Sequence, residues 1–163
     1  MTDCYYSGTN YAESMVNWLP YKLKELGRAN LLDDGPFVDF GCGLGTVIAE
    51  FQKKYLDIQF IGIDRDQRCL DEARKIVLPN TRLLRAPLNQ TSLEDDSIAI
   101  AFSHKIYQLC NEENYSAIAE EIHRTLKRGG VYCASEPMQD YKHPFLELGL
   151  VPIYEDQSII FRK

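Results

Sequence analysis

The sequence predicts an α/β domain in which a doubly wound, mostly parallel sheet of seven strands ends in a C-terminal antiparallel hairpin. Three observations predict it. Short apolar runs alternate with helix-period segments along the chain, a glycine-rich turn follows the first run, and only three polar residues separate the last two runs.

The elements follow in order. Apolar spacing predicts a helix over 11–26, interrupted or kinked at Pro20. Residues 36–40 read as the first strand, 46–54 as a helix, and 58–63 as a second, buried strand. Asp66 is the N-cap choice for a helix over 66–77, which Pro79 closes. Residues 81–84 and 97–102 read as strands three and four. Tyr115, Ile118, Ala119, Ile122 and Leu126 recur at helical spacing, and Lys127-Arg128-Gly129-Gly130 supplies last-turn cations and a glycine stop. Strand five spans 131–134, a short helix 144–148, and the hairpin 150–154 and 158–161 around Glu155-Asp156-Gln157.

The turn after the first strand carries most of the functional information. Asp39 stands two residues before the first of three closely spaced glycines, Gly41, Gly43 and Gly45, with Cys42 between the first two. Glycine tolerates φ > 0 and lets backbone approach a ligand. A pyrophosphate-binding turn would read G-x-G-x-x-G/A, but counting from Gly41 puts Thr46 in the third slot. Asp39 would also repel a pyrophosphate, whereas it would attract a cation. Asp64 ends the second strand 19 residues after Gly45. That is close to the offset of about 20 residues at which a strand-end carboxylate holds ribose hydroxyls.

The run Val38, Asp39, Gly41, Gly43, Gly45 resembles motif I of the class I S-adenosylmethionine-dependent methyltransferases, and residues 126–132 resemble the Leu-Lys-Pro-Gly-Gly segment of that family, with Arg128 in place of proline. The resemblance covers nearly the whole chain. It implies a Rossmann-like fold whose last strand inserts antiparallel, with S-adenosylmethionine as cofactor. Asp39, Gly41, Cys42, Gly43 and Gly45 would then hold the cofactor's methionine end, and Asp64 its ribose. Arg65 would lie over the adenine and Leu88 would offer it a backbone N–H, while Ser103 and Tyr11 would complete the cofactor site. The chain departs from the family at Pro87, where many relatives carry an acidic residue, and at Ala99, where an Asp is common.

Methyl transfer from a sulfonium demands alignment more than a universal catalytic group. Catalytic candidates are therefore chosen by position at the carboxyl ends of strands four and five: His104 as a general base, Tyr107, and Glu136. The acceptor pocket is expected from the N-terminal segment, the 103–113 loop and the 136–145 loop, or from a partner subunit. Tyr5, Tyr6 and Tyr11 are placed to cover it.

Composition sets the outer bounds. At 163 residues the chain fits one domain, divided into an N-terminal helical cap (1–35), a cofactor-binding core (36–135) and a terminal helix and hairpin (136–163). The net charge of −6 and pI near 5.1 disfavour a nucleic-acid substrate. No apolar run is long enough for a membrane span and no basic-then-apolar pattern argues for secretion, so a cytoplasmic location is expected. Five scattered cysteines without CxxC spacing read as reduced thiols, and no metal site is expected. The acceptor is expected to be a small molecule or a protein side chain. Two further readings stay open: a non-catalytic adenosyl-binding or scaffold protein, and an NAD-linked oxidoreductase. The sequence leaves the oligomeric state open, a homodimer included.

Overall fold

A computed structural model describes residues 8–106, 110–135 and 142–163. Its elements run α1 (Thr9–Glu25), β1 (Phe37–Phe40), α2 (Thr46–Gln52), β2 (Phe60–Asp64), α3 (Gln67–Ala73), β3 (Arg82–Arg85), β4 (Ile98–Ser103), α4 (Glu112–Thr125), β5 (Leu126–Ala134), α5 (His143–Glu147), β6 (Val151–Glu155) and β7 (Ile159–Arg162). The seven strands form one sheet in the order β3-β2-β1-β4-β5-β7-β6. Pairings from β3 through β5 are parallel, and β7 lies antiparallel to both β5 and β6. The doubly wound sheet and the inserted hairpin strand are therefore as the sequence reading expects.

Strand alternation divides the core into two layers. Phe37, Phe60, Phe102, Val131 and Cys133 face α1, α2 and α3, where Val16, Leu19, Phe51 and Leu70 meet them. Val38, Phe40, Ile63, Tyr132 and Phe161 face the other way, against Ile118, Ile122 and Phe145 of α4 and α5. The chain leaves β1 for β2 and β3 on one side, then returns to β4 on the other. This reversal opens a crevice beyond the carboxyl ends of β1 and β4, where ligands bind in such sheets.

Pro20 lies inside α1 without ending it. The buried stripe Ala12, Met15, Val16, Leu19 and Leu23 continues on both sides of it, and that packing outweighs the roughly 3 kcal/mol cost of an internal proline. Asp66 caps α3 as expected, its carboxylate accepting the Arg68 N–H at 2.9 Å.

Two expectations are corrected. Lys127 and Arg128 do not occupy the last turn of a helix, because α4 stops at Thr125 and the chain passes directly into β5. Lys127 instead pairs with Asp34 at 2.5 Å. Gly130, read as a helix stop, gives β5 its close approach to β4: a Cβ there would lie 3.0 Å from the Ala99 carbonyl oxygen. The cysteines are not all reduced either. Cys69 is disulfide-bonded, while Cys42 and Cys133 are buried free thiols.

Candidate cofactor and acceptor site

The glycine turn is built by backbone hydrogen bonds from its neighbour strand. The N–H groups of Gly41 and Cys42 both donate to the Ile63 carbonyl at 2.9 Å, and the Gly45 N–H closes the turn on Cys42 at 2.8 Å. Gly41, Gly43 and Gly45 have φ of +80°, +51° and +74°, a region that side chains disfavour. A Cβ on Gly41 would lie 2.7 Å from Ile106 Cγ2, and one on Gly45 would lie 3.0 Å from Ala73 Cβ. The cradle is closed by Ile106 from the β4 side and lets α2 start hard against α3.

Cys42 supplies packing. Its side chain is buried, and its Sγ lies 2.9 Å from where a Cβ on Gly62 would stand. Burial and the neighbouring carboxylates of Asp39 and Asp64 push the thiol pKa well up, so it stays protonated and unreactive.

Two carboxylates flank the turn. Asp64 Oδ2 accepts the Gly43 N–H at 3.0 Å and Oδ1 accepts the Asp66 N–H at 2.9 Å, which leaves further lone pairs on both oxygens for ligand hydroxyls. Asp39 is 3% exposed, and burial, reinforced by the charge of Asp64, raises its pKa to about 8. No hydrogen bond from a described residue offsets that burial. A buried carboxyl without a donor beside a second carboxylate is a place for a cation. Arg65 is exposed next to Asp64, and Leu88, half-buried, approaches the turn with its Cδ1 3.7 Å from where a Cβ on Gly41 would stand.

The other end of the crevice gathers around His104. Its Nδ1 lies 2.8 Å from the Ser135 carbonyl oxygen, and its ring stacks on Tyr11, with centroids 3.8 Å apart and planes at 24°. Ser135 Oγ contacts Met15 Sδ at 3.5 Å and Ser158 Oγ at 3.4 Å, tying α1 to the residue after β5 and the residue before β7. Ser103, expected beside the cofactor, has its hydroxyl 2.8 Å from Tyr132 Oη inside the sheet's other layer. Strand alternation accounts for this, since Ser103 shares a face with Ala101 and not with Phe102. Tyr11, expected at the cofactor, packs on His104. Tyr107 and Glu136, like Tyr5 and Tyr6, lie outside the described residues.

A family model described as a methyltransferase domain matches residues 37–130, which takes in β1, the glycine turn, Asp64 and the start of β5. The chain belongs to the methyltransferase-domain family. Over 144 residues it is 24% identical to an uncharacterized methyltransferase of Schizosaccharomyces pombe, covering 82% of this chain and 49% of that one. The chain thus spans about half the length of the curated relative it matches. Among solved structures, a TehB-like SAM-dependent methyltransferase from Corynebacterium glutamicum superposes with a TM-score of 0.67 at 18% identity, covering 96% of this chain and all of that one (100%). Human N-acetylserotonin methyltransferase in complex with SAM gives 0.66 at 15% identity, covering 97% and 57%. Both likenesses are of fold.

In this methyltransferase domain, three positions of the site went unremarked in the sequence. Ile106 closes the glycine turn, Ser135 holds His104, and Met15 backs Ser135. Met15 belongs to the buried stripe of α1, whose pattern reports burial only, and Ile106 and Ser135 carry no local signal of their contacts. No helix among the described residues is long and apolar enough to cross a membrane.

Proposed function

We propose that this methyltransferase domain binds S-adenosylmethionine in the crevice beyond β1 and β2 and transfers its methyl group to a small-molecule or protein acceptor. The buried carboxyl of Asp39, without a hydrogen-bond donor among the described residues and beside the positive-φ glycine turn, carries this reading, because it fits a cationic ligand and opposes a pyrophosphate. When bound, the cofactor supplies an electrophilic methyl group on a sulfonium.

The chain's own residues bind and orient. Asp64 offers acceptor lone pairs to the ribose hydroxyls while it fixes the turn through Gly43. Asp39, largely protonated in the empty site at neutral pH, gives up its proton as the cationic methionine end arrives and then faces it with negative charge, and Leu88 and Arg65 flank the adenine position. Ile106 and the packed Cys42 keep the turn rigid and exclude water from its rear. His104 stands at the acceptor end, held by Ser135.

Thermal unfolding tests the proposal. S-adenosylmethionine or its demethylated product at 100 times the dissociation constant should stabilise the fold by about 2.7 kcal/mol, a rise in Tm on the order of 5–10 °C for a domain of this size. NAD should produce none. A rise with NAD alone would reassign the site to a dinucleotide, and no rise with any of the three would mark a scaffold.

A further inference from the structure

Asp39 stands where a carboxyl group can hold a charge only at high cost. Strand alternation puts it on the face of β1 that carries Phe37, between its register partners Gly62 and Phe102. It is buried, and among the described residues no group donates a hydrogen bond to it. The layer on that face is apolar, with Met15 and Val16 from α1, Val47 and Ile48 from α2 and Leu70 from α3.

No cation offsets this. Among the described residues no lysine, arginine or histidine is buried. Lys22, Lys53 and Arg68 on the three helices are held in surface pairs with Glu25, Glu50 and Asp66. Past the strand ends stand Asp64 and the exposed Arg65 on the β2 side, and the partly buried His104 and Lys105 on the β4 side. The glycine turn itself brings the Cys42 thiol, which stays protonated. The charge that acts on Asp39 is that of Asp64, and it opposes ionisation.

An isolated buried carboxylate is costly enough that such a group keeps its proton instead, and a second carboxylate nearby adds to the cost. A cation reverses that balance, because its attraction to both carboxylates is strong where water is scarce. Gly41 and Gly43, at positive φ and without side chains, let it approach.

We infer that loading of the cofactor is proton-coupled: Asp39 exchanges its proton for the positive charge of the methionine end, so that acid empties the site and neutral pH fills it. This rests on the methyl-transfer reading above and adds a pH control to it. In the exchange the O–H bond of the Asp39 carboxyl breaks, its electron pair stays on the carboxylate oxygen, and the proton leaves to solvent. Adenosine has a ribose for Asp64 but no methionine end, and leaves that proton in place.

Calorimetric titration in phosphate and in Tris, whose heats of ionisation differ, counts the protons released per ligand bound. With an Asp39 pKa pushed up to about 8, S-adenosylmethionine should release about 0.9 proton from wild type at pH 7. Its affinity should rise about tenfold from pH 6 to pH 7, a window in which the cofactor's own ammonium stays charged. Adenosine should release none and bind equally at both pH values. In Asp39→Asn, which keeps the shape and cannot ionise, the release and the pH dependence should vanish, and affinity at pH 7 should fall roughly tenfold or more. His104 and Cys42 remain in that variant, so the difference from wild type belongs to Asp39. Carbon-13 NMR of the cofactor-free wild type needs neither ligand nor variant, and should show the Asp39 carboxyl protonated at pH 6.5.

No binding of S-adenosylmethionine at any pH from about 5.5 to 8.5 overturns the methyl-transfer reading and this inference with it. Binding without proton release, equal release by adenosine, wild-type release from Asp39→Asn, or a carboxyl already ionised at pH 6.5 in the cofactor-free protein overturns this inference alone and leaves the cofactor site standing.

Discussion

Asp64 and Gly43 are joined by a 3.0 Å hydrogen bond that spans 21 residues of sequence and fastens the glycine turn to the end of β2. The same carboxylate accepts the Asp66 N–H that opens the following helix. One side chain thus sets the shape of the cradle and presents acceptors to whatever enters it.

Replacing Asp64 with alanine removes both roles. The partly buried Gly43 N–H loses its partner, and a hydrogen bond to a charged group contributes roughly 1.5–3 kcal/mol. Cofactor affinity should fall about tenfold to 100-fold, with a smaller loss in Asp64→Asn, which keeps one carbonyl oxygen. Titration calorimetry on the folded variants measures it. An alanine variant with wild-type affinity would confine Asp64 to the loop.

Asp39 links stability to pH in the opposite sense from an ordinary aspartate. Its folded-state pKa of about 8 exceeds the unexceptional value of 3.8, so the native state holds an extra proton between those limits. Its contribution is full below about pH 4 and is lost as pH rises through 8, with a slope of at most about 1.4 kcal/mol per pH unit. Asp39→Asn should flatten that slope and be the more stable form at pH 8 without ligand, while binding S-adenosylmethionine less tightly. Urea unfolding from pH 5 to 8 decides this, and an Asn variant with the wild-type slope would sink the assignment.

Glu121 works the other way. Burial opposes its ionisation, but hydrogen bonds from Arg124 and from the Thr91 side chain and N–H prevail and hold its pKa at about 2. The unfolded chain binds this proton first on acidification, so the stabilisation is full above about pH 4.5 and is lost as pH falls through 2. With the Arg124 side chain 36% exposed, the contribution comes to about 2 kcal/mol after screening. Glu121→Ala should lose about that much at pH 7 through the orphaned Thr91 N–H. The difference from wild type should narrow between pH 5 and 2 in denaturant titrations; a constant gap would show that the ion pair is idle.

The elements that positional patterns encode are legible in the order of residues alone. The short apolar runs and the period-3.6 segments place all seven strands and the main helices, and Asp66 announces its helix by the chemistry of a cap. The boundary between α4 and β5 is not legible. Lys127 to Gly130 carries the local signature of a helix end, yet Asp34 draws Lys127 away and Ala99 requires a Cβ-free neighbour at Gly130. Both partners are remote in sequence.

The site divides along the same line. The sequence by itself determined the glycine turn, because Asp39, the three glycines and Asp64 owe their places to backbone conformation and short-range spacing, which the order of residues encodes directly. Only the tertiary structure decided the surroundings of His104. It turned Ser103 toward Tyr132, set Tyr11 on His104, and brought the Ser135 carbonyl to Nδ1 across 31 residues. Those contacts depend on which way each strand's side chains point and on how α1 crosses the strand ends. Packing of the whole core fixes both, and no local pattern records it.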